Sequence, residues 1–146
     1  MGRRALAFVS AAIATYILAT VAVTQGNLGY LASLGREITF GERVGAIGHD
    51  LLGMIGMFGP IVLVTLLLAY GVVALIVSRA PALRMIGYIA GGFAGMVAVH
   101  LILQAVFGMA PVWAARDAFG MLLQGLAGAV GGYVFYRMTA AAVANR

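Results

Sequence analysis

Apolar residues gather in four long stretches, at approximately 5–24, 47–77, 85–107 and 117–137, separated by shorter segments that hold most of the charge. Each stretch is long enough to cross a bilayer core as a helix, which takes about 20 apolar residues. The prediction is an all-α polytopic membrane protein, a four-transmembrane-helix bundle forming a single integral membrane domain over residues 1–146. No internal repeat or low-complexity linker divides it.

The connections differ in kind. Ser78 to Arg84 carries Pro81 between two arginines and reads as a tight hairpin. Gly108 to Arg116 is also short, and its Pro111 and Trp113 suit a turn at headgroup level, where indole rings are favoured. Gln25 to Ala46 is too long for a turn. Leu28, Tyr30, Leu31 and Leu34 before a stop at Gly35 predict a short interfacial helix in this loop. Thr39 and Glu42, three apart, then predict a capping box opening another helix. Pro60, after Gly53, Gly56 and Gly59, predicts a kink in the second span near Gly56 to Pro60, because its ring removes a helical hydrogen bond.

Wound at about 100° per residue, each span shows a face of small side chains. The first offers Ala7, Ala11, Thr15 and Ala19. The second aligns His49, Gly53, Gly56, Pro60, Gly71, Ala74 and Ser78. The third carries Gly87, Gly91 and Gly95, with His100 and Gln104 about half a turn away, and the fourth groups Gly120, Gln124, Gly128 and Gly131 beside Gly132. Helices in lipid associate by close backbone packing, so Gly87, Gly91, Gly95, Gly128 and Gly132 are the expected helix-packing positions. Two faces unsuited to lipid make the third span either central in the bundle or a contact for a second chain.

Charge orients the bundle. Arg3, Arg4, Arg79, Arg84, Arg137 and Arg146 fall in the two tails and the middle connection, without a single carboxylate. Glu37, Glu42, Asp50 and Asp117, mixed with Arg36, Arg43 and Arg116, fall at the other two connections. Arginine-rich short loops stay in the cytoplasm, so both termini are expected inside and the first loop in the periplasm. The Arg3–Arg4 pair before an alanine-rich run resembles a signal peptide, but a run of about 20 residues exceeds the usual apolar region of roughly 7–15, which favours a retained helix.

At 64% apolar and 9% charged, the chain needs lipid as solvent. Its net charge of +5 is scattered at helix ends rather than gathered in a stripe, which argues against nucleic acid. The absence of cysteine excludes disulfides, thiol redox chemistry and thiolate-bound metals. The absence of lysine beside abundant alanine, glycine and arginine suggests a bacterial coding sequence of high GC content, hence an inner-membrane address.

Ionisable groups within a bilayer are costly and usually face a bundle interior or water, which singles out His100. Counted from the outer ends of their spans, His100 and Gln124 share a depth of roughly 10 Å below the interface, with Gln104 one turn above. His49 and Asp50 stand at the mouth, opposite Arg116 and Asp117. His100, Gln104 and Gln124, with His49 and Asp50 above, form the candidate ligand-binding set, suited to a quinone or a lipid headgroup. A bis-histidine haem needs both ligands at one depth, and His49 and His100 differ by at least two turns, which argues against haem and equally against a metal site. No midplane carboxylate, symmetric pair of broken helices, nucleophile triad or nucleotide loop is traceable. The expected function is therefore non-enzymatic: an accessory subunit or oligomeric component of an inner-membrane assembly, touching lipid, further copies of itself or other membrane subunits. The alternative is a periplasm-facing binding or transport protein for a quinone, a lipid or a small solute.

Overall fold

Helix α1 runs unbroken from Gly2 to Ser33 in the computed structural model, which describes residues 2–108 and 118–144. Extending an existing helix costs less than nucleating a new one, so Leu28, Tyr30 and Leu31 continue α1. The separate interfacial helix expected there does not form. The stop comes at Gly35, whose φ of 88° lets Arg36 N–H reach the Leu31 carbonyl and Gly35 N–H the Ala32 carbonyl, the Schellman pattern of a glycine-terminated helix.

Helix α2 spans Phe40–Gly53 and begins with the expected capping box: the Thr39 hydroxyl accepts from Glu42 N–H, and the Glu42 carboxylate accepts from Thr39 N–H at 2.8 Å. Helix α3, Phe58–Arg79, follows after a four-residue break. The second apolar stretch, expected as one kinked helix over 47–77, is thus two helices. The reason lies in where Pro60 falls. It occupies the first turn of α3, where its missing N–H would have had no intrahelical partner, so the proline starts a helix instead of bending one. The Leu51 carbonyl, left open by the end of α2, accepts the Tyr16 hydroxyl at 2.7 Å.

A single 3₁₀ turn, Pro81–Leu83, makes the hairpin to α4, Arg84–Phe107, which ends at Gly108 with φ of 67°. Helix α5 is Ala118–Ala144. The loop with Pro111, Trp113, Arg116 and Asp117 lies outside the described residues. Among the described residues, four helices are long and apolar enough to span a membrane, within Gly2–Ser33, Phe58–Arg79, Pro81–Phe107 and Ala118–Ala140.

These four close a ring: α5 packs most extensively, on α4 and on α1, and α3 seals the gap by packing on α4 and, more lightly, on α1. Backbones touch where glycine allows it. A Cβ at Gly92 would collide with the Gly128 carbonyl, one at Gly132 with the Tyr88 carbonyl, and one at Gly131 with the Thr15 hydroxyl. Gly87, Gly91 and Gly95 lie against α3, on Val77, Val73, Ala69 and Thr65. The two small-residue faces of α4 are therefore covered within the chain, one by α5 and the other by α3.

At the end that carries Arg84 and Arg137, Phe8, Tyr70, Tyr88 and Phe135 interlock, with Tyr70 and Tyr88 each within 5 Å of the Phe135 ring centre (4.9 and 4.8 Å). One aromatic from each of the four spans fills that half of the core. Leu63, Val64, Leu67, Leu68, Val72 and Leu75 of α3 face outward and exposed, the surface lipid would cover. Helix α2 stands outside the ring on α1 and contains no buried residue.

Candidate functional site

The opposite half of the core is polar. Thr20 and Thr24 on α1, His100 on α4 and Gln124 on α5 are all at most 1% exposed. The antiparallel register of α4 and α5, Gly92 against Gly128 and Tyr88 against Gly132, sets Gln124 level with Met96 and one turn below His100. Side chains of a helix tilt toward its N-terminus, so the His100 ring leans down to that same layer. Its Nδ1 is 2.7 Å from the Met96 carbonyl. Gln124 donates through its amide nitrogen to the Ala19 carbonyl at 3.1 Å, tying α5 to α1. Phe58, at the start of α3, closes the layer from the fourth side, its ring centre 6.1 Å from that of His100 and 6.1 Å from that of Tyr16.

The layer contains polar atoms with no hydrogen-bond partner among the described residues: His100 Nε2, Gln124 Oε1 and the Thr20 hydroxyl. Threonine hydroxyls in helices often bond back to the carbonyl four residues earlier, as Thr24 does to Thr20. Thr20 does not.

Above this layer α2 is joined to α1 by polar bonds. Asp50 accepts the Thr24 hydroxyl at 2.7 Å, and Arg43 donates to Gln25 at 2.7 Å. With Tyr16 on the Leu51 carbonyl, these contacts run α2 antiparallel to α1, descending from the level of Gln25 to that of Tyr16. Counting about 1.5 Å per residue from Arg4, Tyr16 lies about 18 Å along α1, so α2 and the break after it lie within the span's own length. At α2's upper end, the Thr39 backbone N–H, the Thr39 hydroxyl and, more weakly, Arg36 hold the Glu42 carboxyl below its ordinary range.

The five residues expected to line one pocket are placed in three ways. His100 and Gln124 share the buried layer. Gln104 is half-buried, one turn nearer the C-terminal end of α4, and Asp50 is half-buried on Thr24. His49 is exposed on the outer side of α2, away from His100. Sequence reasoning did not single out Thr20, Phe58 or Gly92. Gly92 had a signal available, since it lies two four-residue steps before His100 and shares its face. The Met96 and Ala19 carbonyls have none, because every residue carries one.

On the second span's stripe, Gly53, Gly56 and Gly71 would meet nothing within 4 Å of an added Cβ, and His49, Pro60, Ala74 and Ser78 are exposed. Gly41, Gly45 and Gly48 on the outer face of α2 are equally open. The chain matches no protein family, no curated protein and no solved structure.

Proposed function

We propose that the protein is a non-catalytic, multi-pass component of a bacterial inner-membrane assembly, with both termini cytoplasmic, that works by associating with further copies of itself or with other integral membrane subunits. The observation that carries this reading is the outer face of α2. Three glycines, Gly41, Gly45 and Gly48, recur there at helical spacing with nothing against them, flanked by Phe40 and Leu52, which are 82% and 79% exposed. Each glycine in a helix costs about 1 kcal/mol relative to alanine, and nothing among the described residues packs against these three to offset it. Close approach of another helix would. The α4 glycines offer no such surface, because α3 and α5 occupy both small-residue faces of that helix.

The test is the mass of the particle in mild detergent or in lipid nanodiscs. Native protein is expected above monomer mass, or bound to a second subunit when extracted from its own membrane. Gly45→Leu and Gly48→Leu should reduce it to monomer without changing helix content. A monomer from the start, or an assembly indifferent to both substitutions, would remove the basis of this reading.

A second reading, a binding protein using the layer of His100 and Gln124 with Gln104 above, is favoured by the unpartnered buried atoms. The aromatic cluster filling the core beyond that layer supports one-sided binding rather than passage through the bundle.

A further inference from the structure

The two groups of the polar layer whose roles are fixed by their partners are both left with an open acceptor. A carbonyl only accepts, so the short contact with Met96 places the proton of the neutral His100 ring on Nδ1 and leaves Nε2 a bare lone pair. The Ala19 carbonyl likewise requires a donor, which fixes the Gln124 amide with its nitrogen toward α1 and its Oε1 free. His100 Nε2 and Gln124 Oε1 are both acceptors and cannot satisfy each other. Burying acceptors without donors is costly, so whatever completes this layer brings N–H or O–H groups.

We propose that the layer binds a neutral aromatic headgroup that donates hydrogen bonds, of the hydroquinone class, in preference to the oxidised quinone of the same shape. This rests on the second reading above and names its ligand. A quinone carbonyl or a phosphate sets acceptor against acceptor. An ammonium group would supply donors but needs a counter-charge, and Asp50 is engaged higher up, on Thr24. An aromatic ring suits the Phe58 and Tyr16 side of the layer, where rings already meet edge-on or tilted. The Thr20 hydroxyl, buried and unpartnered, can complement either a donor or an acceptor on the same headgroup. Phe58 covers the site and is the first residue of α3, directly after the break.

The experiment compares duroquinol with duroquinone, which differ in donors and not in outline, on the full chain in detergent under anaerobic conditions. Thermal stabilisation should be saturable with duroquinol and at least about tenfold weaker with duroquinone, the usual scale for an unmatched buried polar pair. In ¹⁵N spectra of the His49→Asn protein, His100 Nε2 should resonate as an unprotonated, free nitrogen and move to a hydrogen-bonded position with duroquinol. Gln124→Leu should lose the preference for the reduced form, and the nitrogen signal carries the test if that variant does not fold. Equal or tighter binding of duroquinone overturns the donor argument while leaving the binding reading intact. Binding of neither compound overturns both. An Nε2 already hydrogen-bonded without added ligand assigns the acceptors to internal water and overturns the proposal.

Discussion

Glycines that look alike in the sequence have opposite roles in the structure. Gly92 faces the Gly128 carbonyl so closely that no side chain fits, whereas Gly71 faces open space on the outside of α3. Gly92→Ala is expected to force α4 and α5 apart and to cost about 1–3 kcal/mol, the range for overpacking, with the upper end favoured because backbone rather than a flexible side chain must yield. Gly71→Ala should be neutral or stabilising by up to about 1 kcal/mol through helix propensity alone. Thermal or denaturant unfolding in detergent separates the two. Small-residue spacing identified the positions able to support close packing, but not which neighbour each one meets. The same limit holds for His100: its burial was legible from its place in an apolar span, whereas its partner, a carbonyl on its own helix, left no mark in the sequence. The register that brings Gln124 to its layer follows from the α4–α5 glycine contacts, one of whose members, Gly92, the stripes had not included.

Among the elements, the hydrophobic runs and their proline and glycine punctuation recovered the four spans, the hairpin at Pro81, the stop at Gly35 and the capping box at Thr39. They did not reveal that α1 continues past its apolar segment or that Pro60 begins a helix, because both depend on whether neighbouring turns are already helical. The capping box supplies a local, titratable prediction. Hydrogen bonds to the ionised form hold the Glu42 pKa below the ordinary 4.5, so the stabilisation is complete above the unfolded-state value and is lost as pH falls through the lower folded-state value. Hydrogen exchange of the first-turn amides of α2 should therefore lose protection in acid below that ordinary value. Glu42→Gln should abolish this pH dependence while retaining a partial cap. Thr39→Ala should lower the same protection about fivefold at neutral pH, the equivalent of about 1 kcal/mol for a lost N-cap. Global unfolding should change little, since α2 buries no residue in the core. If protection does not change with pH, the carboxylate does not contribute to capping α2.

At the scale of the molecule, the aromatic half of the core and the polar half lie at opposite ends, and the arginines follow the same axis. Arg84 lies over the Tyr136 ring at 6.0 Å at the aromatic end, and Glu42 and Arg43 mark the other. If the arginine end is cytoplasmic, the polar layer opens toward the periplasm, and both functional readings take their direction from that. The natural absence of cysteine makes the orientation measurable with single substitutions. Ser33, at the end of α1, and Ser78, at the end of α3, are both exposed and lie at opposite ends of the bundle. In intact cells with a permeable outer membrane, an impermeant maleimide should modify Ser33→Cys directly and Ser78→Cys only after the inner membrane is opened. The reverse pattern would place the arginine-rich ends outside, against the retention of arginine-rich short loops in the cytoplasm, and would turn the His100 layer to face the cytoplasm. Labelling of both without permeabilisation would mean that the chain between them, α2 and α3, does not cross. That path is the one whose backbone is interrupted within the depth of the bundle, between Gly53 and Phe58. The contrast between the two serines therefore tests the continuity of the α2–α3 crossing together with the charge rule.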